Sequence, residues 1–420
     1  MKEANISSVV EKSLCLGCGV CTNACPTKSI SMETVNGQYI PFINRDSCLN
    51  DKGCSRCIKV CPGVGVDLKT ISQKAFSNQI SVVFDGLIGY WTKFYAGYST
   101  DGETRLHGAS GGLLTSFLAF LLDKKYISAA VITKNELSKP FLNETFLAHS
   151  SSDLKKGRSS KYCPVTFDRI VDDVKSEEGK VVIVGLPCHI QGFRKLESVD
   201  RGFKEKVFGY FGLLCSCGRT FNLTDFVFKE HGIDKNSLSY FQYRDNGCLG
   251  SLLAIDARKK TEIPFQLYYH PLKSFFIPSR CLLCVDHYAE LSDVAFGDIH
   301  YGAYLKDQIG VNSLIIRNSS FLPLLHEAKK EGYVYLEAID KQTVLNCQKS
   351  AIKKKTRVVG AIHFAKMMGM AVPVYNADFK SYNVVKSAMY YVYARLQGFV
   401  GKRKRLWPLI SLFKKQGTIR

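Results

Sequence analysis

The sequence predicts two folds in series: a small α+β module that needs metal to hold together, then a larger α/β domain on a partly parallel sheet, followed by a basic helical tail. Three observations carry this. Eight of the sixteen cysteines lie within the first 61 residues, in two runs that each end in Cys-Pro. Lys180-Val-Val-Ile-Val-Gly185 and Val207 to Leu214 are short, continuous apolar runs of buried-strand type, with a helix-like segment from His189 to about Val199 between them. Residues 351–420 carry fifteen Lys or Arg against one acid, Asp378, and so hold +14 of the formal +20.

The two cysteine runs define the first module, residues 1–70. Cys15, Cys18, Cys21 and Cys25 precede Pro26; Cys48, Cys54, Cys57 and Cys61 precede Pro62. A cubane cluster needs four thiolates converging on one small volume, and two-residue gaps let three sulfurs point inward from one tight loop. In two-cluster ferredoxins the cysteine before proline reaches across to the other cluster. The spacing therefore assigns Cys15, Cys18, Cys21 and Cys61 to one 4Fe-4S cluster, and Cys25, Cys48, Cys54 and Cys57 to a second. The five-residue gap between Cys48 and Cys54 departs from the bacterial pattern and weakens only Cys48. A disulfide framework would need an oxidising compartment, whereas the opening MKEANISSVVEKS has no apolar signal-peptide core, so a cytoplasmic protein is expected. Zinc sites favour two separated pairs of ligands over a run of four.

Residues 71–90, with the polar stretch Ser72 to Gln79, read as a linker, and the second domain as 91–345. From Trp91 the order is a strand, a turn at Asp101-Gly102, a glycine-bearing loop, an amphipathic helix and a returning strand, Ala129 to Thr133. The Val181 and Val207 strands with their intervening helix form a parallel crossover unit. Cys188 and Cys215 then both lie just past the carboxyl ends of neighbouring strands, the edge where open α/β sheets bind ligands. Arg280-Cys-Leu-Leu-Cys284 adds two cysteines at metal-ligand spacing. Cys188, Cys215, Cys281 and Cys284 are thus expected to hold a third 4Fe-4S cluster, with zinc, using Cys217, or simple packing as rivals. Cys163, Cys248 and Cys347 are isolated and expected in the core.

Arg105-Leu-His-Gly-Ala-Ser-Gly-Gly-Leu113, Ser160-Lys-Tyr162, Gly185-Leu-Pro-Cys-His-Ile-Gln-Gly-Phe-Arg-Lys195, Leu213-Leu-Cys215 and Cys281-Leu-Leu-Cys-Val-Asp286 through Asp298 occur in this order. Over roughly residues 90–320 they resemble the beta subunit of coenzyme F420 (deazaflavin) reducing hydrogenase and its wider family of iron-sulfur flavoproteins. The resemblance implies a 4Fe-4S cluster beside FAD or another flavin, with a deazaflavin coenzyme as a further cofactor. It also implies electron exchange between an iron-sulfur donor and an organic acceptor. Members with a fused two-cluster ferredoxin occur with cell-surface polysaccharide genes. Cys163, where relatives carry Val or Ile, and Cys217 are departures that could displace a ligand.

A flavin would need phosphate donors, and the loop Gly108-Ala-Ser-Gly-Gly112 before a helix offers Ser110 and the backbone of Gly108, Gly111 and Gly112, with Arg105 and Lys161 adding charge. The same sequence serves as an ordinary cap and tight turn. His107 and His189 are candidates for flavin contact or proton donation, or plain hydrogen-bonded histidines. Asp286, Asp293 and Asp298 divide between site and turn roles. No Walker or G-x-G-x-x-G pattern is present. The leading expectation is an oxidoreductase whose partners are a ferredoxin or other redox protein and a small-molecule acceptor. An electron-relay subunit without its own substrate site and a zinc-bearing nucleic-acid binder are the alternatives.

The tail, residues 346–420, interleaves Arg395, Lys402 to Arg405, Lys414 and Lys415 with Tyr390, Tyr391, Tyr393, Phe399, Trp407 and Phe413. That mix suits an anionic membrane surface or an acidic redox partner better than nucleic acid. No apolar run in the sequence approaches membrane-span length.

Overall fold

The computed structural model describes residues 5–377 and 383–417. In the N-terminal module an antiparallel hairpin, β1 (Ile30–Val35) and β2 (Gln38–Ile43), stands between two single helical turns, Val20–Asn23 and Arg56–Lys59, that bear cysteines. The module's own core consists of Ile6, Val9, Leu14 and Ile30 together with Cys21, Cys57 and Cys61. So few aliphatic groups supply little burial energy, which is the usual condition of a fold that depends on metal.

The second domain is built on an eight-stranded mixed sheet. Its strands are β3 (Lys93–Ser99), β4 (Ala129–Asn135), β5 (Asn143–Ala148), β6 (Val181–Gly185), β7 (Val207–Leu213), β11 (Val294–Asp298), β12 (Asn312–Ile316) and β13 (Val334–Ala338), in the spatial order β13-β3-β12-β11-β7-β6-β4-β5. The four central strands β11, β7, β6 and β4 run parallel, and the flanking pairs are antiparallel. The near-continuous apolar character of β6 follows from this position: all five of its residues are buried, with helices on both faces. Helix α1 (Leu113–Asp123) packs Phe117 and Leu121 against Phe211 and Leu314 on one face. On the other, α2 (Pro187–Leu196) packs Ile190 and Phe193 against Val181, Ile183 and Tyr210.

A smaller three-stranded antiparallel sheet, β8 (Tyr240–Asp245), β9 (Ser251–Ile255) and β10 (Lys260–Pro264), forms a separate core with helix α3 (Phe221–His231). The tail folds as α4 (Lys349–Met367), α5 (Val384–Gly401) and α6 (Trp407–Gly417). Trp407 and Ile410 complete the core of the small sheet, and Tyr391 and Ala394 pack with Ala361 and Leu283. Part of the tail's aromatic content is therefore core, because these rings cover apolar residues of the second domain; Trp407 and Tyr391 are not surface anchors.

Three further expectations are corrected. The stretch read as a linker is ordered: Asp67 caps a helix over Leu68–Phe76, in which Ser72 and Phe76 are buried, and two short strands follow at Val83–Asp85 and Gly89–Trp91. Asp101 is a helix cap, accepting from the Thr104 amide at 2.7 Å at the start of Gly102–His107. Cys163 is buried as expected, but Cys248 and Cys347 are only half-buried.

The module packs on the second domain through Val20, Ala24, Val60, Val66 and Leu68, which share one apolar cluster with the sheet and α2. Backbones approach closely there. A side chain on Gly19, at φ +76°, would run into Thr166 and the Phe167 amide, and a Cβ on Gly192 of α2 would stand 2.8 Å from Val20.

Candidate electron-transfer site: three thiol sets and their surroundings

Cysteine side chains surround three cavities. Cys15, Cys18, Cys21 and Cys61 line the first, with Ile6, Leu16 and Met32. Cys25, Cys48, Cys54 and Cys57 line the second, with Ile30 and Ile43. Cys188, Cys215, Cys281 and Cys284 line the third, together with Cys163, Cys217, His189 and Arg219. Among the described residues no three His, Cys, Asp or Glu side chains converge as they would on a single metal ion. Each set supplies four thiols around one cavity, the donor number of a cubane cluster and of a structural zinc site alike.

The sets adjoin in a line. Cys57 is close enough to Cys21 for charge on one thiol to disfavour charge on the other, and Cys18 stands in the same relation to Cys188. Leu16 lines both the first and third cavities. Burial pushes the Cys15 thiol up to about 12 and the Cys281 thiol up to about 11, and it drives Cys21, Cys188 and Cys215 well above the ordinary thiol range. Metal loading of these sets must therefore displace protons. Cys25 differs: burial pushes it up, but the Ser29 hydroxyl at 3.2 Å and that of Thr27 outweigh this and hold it below its usual value.

The third set is assembled by the sheet. Cys188 sits in the first turn of α2, just past β6, and Cys215 follows β7, the parallel neighbour of β6. Cys281 and Cys284 lie on and after a short 3-10 turn, Ser279–Leu283. Arg280, between these elements and the module, is 2 % exposed. It donates to the carbonyls of Gly63 (2.8 Å), Pro62 (3.3 Å) and Leu283 (3.2 Å) and to the Tyr375 hydroxyl (2.8 Å), so one guanidinium ties the Cys61-Pro62 turn to the Cys281–Cys284 turn. Lys195 donates to the Cys61 carbonyl at 2.6 Å. Burial raises the Cys61 thiol, and these two cations pull it the other way.

Cys163 is engaged by the Asn143 amide at 3.1 Å, whereas Cys217 faces the third set beside Lys354. His189 accepts from the Leu186 amide at 3.2 Å, and burial pushes it down to about 4, so it is a neutral imidazole at the cavity wall. Asp286 is buried, accepts from Gln191 at 2.9 Å and from the Glu290 amide at 3.1 Å, and is pushed up to about 6, first by burial and then by the Glu290 charge. Asp293 is a structural hub that accepts from the Tyr210 amide, Arg194 and Asn318 at 2.8–2.9 Å.

The residues named for a flavin gather where three loops meet beside β11 and β12. Arg105 pairs with Asp307 at 2.5 Å, His107 with Asp245 at 2.7 Å, and Ser110 donates to Asp298, which also holds Arg244 at 2.8 Å. Gly111 and Gly112 have φ of +101° and +68°, and a Cβ on either would meet a carbonyl oxygen at 2.5 Å, of Gly310 and Thr104 respectively. A Cβ on Gly108 would stand 2.6 Å from the Gly112 nitrogen. Lys161 donates to the carbonyls of Arg158 (2.8 Å) and Ser159 (3.2 Å), and burial pushes it down to about 8. A phosphate entering this loop would compete with these protein partners.

Sequence reasoning missed Arg280, Arg244, Arg219 and Lys354. Arg280 and Arg219 stand beside cysteine motifs, Arg280-Cys and Cys217-Gly-Arg219, which was the available signal. Lys354 was submerged in the run Lys353 to Lys355.

Comparison with known proteins fits this geometry. Residues 94–171 match the model of the coenzyme F420 hydrogenase/dehydrogenase beta subunit N-terminal part, residues 178–342 match that of its C terminus, and residues 14–66 match a 4Fe-4S dicluster domain. A coenzyme F420-dependent sulfite reductase of Methanocaldococcus jannaschii is 28 % identical over 356 residues, 81 % of this chain but 50 % of that protein, so the chain spans half its length. The coenzyme F420 hydrogenase beta subunit of Methanothermobacter thermautotrophicus is 26 % identical, over 68 % of this chain and 99 % of the relative. A chain of the F420-reducing nickel-iron hydrogenase complex of Methanosarcina barkeri shares the fold, with a TM-score of 0.55 at 18 % identity over 70 % of this chain and 99 % of that one. With both halves of the beta subunit matched in order behind a two-cluster module, the chain is an iron-sulfur redox protein and belongs to the coenzyme F420 hydrogenase/dehydrogenase beta-subunit family.

Proposed function

We propose that the protein is an iron-sulfur flavoprotein oxidoreductase that passes electrons between a ferredoxin-type partner and a flavin- or deazaflavin-linked organic acceptor. The observation that carries this reading is the line of three adjoining thiol sets, which runs from the outer Cys25 set through the Cys15 set to the Cys188 set at the sheet edge. In this reading Cys15, Cys18, Cys21 and Cys61, then Cys25, Cys48, Cys54 and Cys57, hold the two clusters of the dicluster module. Cys188, Cys215, Cys281 and Cys284 hold a third. Clusters bound there supply one-electron transfer, and a bound flavin supplies the exchange of single electrons for pairs.

The protein's own contribution is position and electrostatics. Arg280 and Lys195 place fixed positive charge between the first and third sets, and Lys354 does so beyond the third. The apolar walls of Ile6, Leu16, Ile30 and Ile43 limit water around the first two sets. Lys161, Arg105 and the Gly108–Gly112 loop are the candidates to hold a flavin phosphate, by exchanging their present partners for it.

Anaerobically prepared full-length protein should contain iron and sulfide near twelve atoms each per chain, with flavin bound or taken up. Twelve iron without flavin affinity would convert the reading to a relay subunit. A single zinc with salt-sensitive retention on DNA would replace it by the nucleic-acid alternative.

A second reading concerns the tail. Val385, Met389, Val392, Leu396 and Phe399 recur at helical spacing along α5 and are 44–69 % exposed, with Lys386 and Arg395 also exposed on this helix. Such a stripe supports docking of the tail on an anionic membrane surface. Among the described residues no helix is long and apolar enough to cross a membrane. Co-sedimentation with phosphatidylserine vesicles, lost in Leu396→Glu, tests this reading; equal binding to neutral vesicles would reject its electrostatic part.

A further inference from the structure

Beyond the third thiol set lies a larger chamber of about 400 Å³, within the size range of small-molecule sites. It is formed between the Ser216–Arg219 and Lys273–Leu282 segments and the tail helices α4 and α5. Helices α4 and α5, which roof it, fall outside the segments matched to the beta-subunit family, which end at residue 342. Cys217 and Cys281 are common to the walls of the chamber and of the third cavity, as are Arg219 and Lys354. The two spaces are therefore adjacent, sharing thiols and cations.

The chemistry of the lining is one-sided. Arg219, Lys273, Lys354 and Arg357 line the chamber, and among the described residues no Asp or Glu does. Arg219 is 6 % exposed; it donates to the Lys273 carbonyl at 2.6 Å, lies over the Tyr269 ring at 4.5 Å and hydrogen-bonds the Tyr269 side chain, yet its buried Nε has no partner among the described residues. A buried guanidinium nitrogen left unpaired is costly unless something else accepts from it. Arg357 makes no ion pair among the described contacts; it donates to the Lys353 carbonyl at 3.2 Å and stacks over the Tyr390 ring at 4.6 Å. Tyr390, Tyr391 and Tyr393 supply aromatic walls, and Tyr390 and Tyr393 are 40 % and 47 % exposed at the solvent side. Ser216, Ser274 and Ser350 add polar groups at the wall.

We propose that this chamber is a binding site for a small organic polyanion, bearing carboxylate or phosphate groups and held beside the third thiol set by Arg219, Lys354 and Arg357. Four cations lining one partly open cavity, with no carboxylate among its described lining residues, repel one another, and an anionic ligand removes that penalty. The tyrosine walls favour a ligand with a flat or apolar body over a bare inorganic ion. The chamber's geometry is independent of what the thiols hold; only its use as a redox substrate site rests on the cluster reading above.

The test uses the full-length, metal-loaded protein and two probe anions, citrate for carboxylates and pyrophosphate for phosphates, followed by calorimetry under anaerobic conditions. At least one should bind saturably at one site per chain, more weakly as salt is raised. Arg357→Gln should weaken that binding roughly tenfold or more, and Arg219→Gln at least as much. Lys386→Gln, an exposed charge on the neighbouring helix α5 outside the chamber, should leave it within about twofold. Because Arg219 is buried, the iron content and visible spectrum of each variant serve as the folding control, and Arg357→Gln alone suffices if Arg219→Gln fails to fold. Absence of saturable binding by both probes, or equal weakening by Lys386→Gln and Arg357→Gln, would overturn the proposal whatever the iron count. An iron count near eight would count only against the third cluster, and saturable binding sensitive to Arg357 would still establish the anion site.

Discussion

The chain contains cysteine sets built in two different ways. In the N-terminal module eight thiols come from 47 consecutive residues, on loops and single helical turns whose own aliphatic core is four residues. In the second domain Cys188 and Cys215 are delivered by the ends of adjacent parallel strands, and Cys281 and Cys284 by a turn tied down by Arg280. In the proposed reading the first arrangement depends on its metal for much of its stability, while the second is a site placed on a sheet with a large core of its own. The difference teaches that the same ligand chemistry can be either the cause of a fold or its passenger.

The largest expected effect follows directly. Stripping iron from the loaded protein should unfold residues 5–66 while the β6 and β7 strands keep their amide protection in hydrogen exchange. Equal loss of protection in both regions would erase the distinction. Next in size, Cys188→Ala and Cys281→Ala should each lower iron by about four atoms of twelve, leaving the cooperative unfolding transition of the second domain in place. Unchanged iron in both would remove the third cluster.

Arg280 sharpens the comparison because it joins the two kinds of site. Arg280→Met leaves the carbonyls of Pro62, Gly63 and Leu283 without their donor, and it should cost about 3 kcal/mol of stability in urea titrations. Arg280→Lys should recover only part of this, since one ammonium cannot reach three carbonyls on two turns and the Tyr375 hydroxyl together. A change below about 0.5 kcal/mol would mean that the turns hold each other without the guanidinium.

The same contrast explains what was legible in the sequence. Local ligand spacing, Cys-x2-Cys and Cys-Pro, marks the first two sets because a loop's reach is fixed by the chain itself. In the third set Cys281-x2-Cys284 is again local spacing, but Cys188 and Cys215 could be joined to it through the Val181 and Val207 strands, whose parallel pairing puts residues 27 apart in sequence on one edge. What tertiary packing alone decides stayed hidden: that Leu68–Phe76 is a helix and not a linker, that Trp407 and Tyr391 are core, and that Arg219 and Lys354 face the thiols. A basic run reads as a solvated face until the structure shows which of its members point inward. The Gly108–Gly112 loop was legible as a special backbone, but its glycines are explained by close carbonyl contacts, a reason no motif encodes.

The smallest expected effect concerns Lys161, a cation whose charge is favoured by Cys163 and Asp245 but more strongly opposed by burial. Its ammonium is satisfied by two carbonyls, and burial pushes it down to about 8. An unfolded lysine titrates near 10.4, so below about pH 8 both states are protonated and the folded state carries the full burial penalty. Between about pH 8 and 10.4 the folded state releases its proton first, the unfolded state binds more protons, and stability must rise with pH. Lys161→Gln removes this rise and should stabilise the protein at pH 7 by on the order of 1–2 kcal/mol, discounted for the side chain's partial exposure. The comparison is made as the difference between wild type and variant in urea titrations across that window, so that titrating thiols common to both cancel. A flat difference would show that Lys161 keeps its proton at no penalty, as it would if an anion such as a flavin phosphate already lay against it.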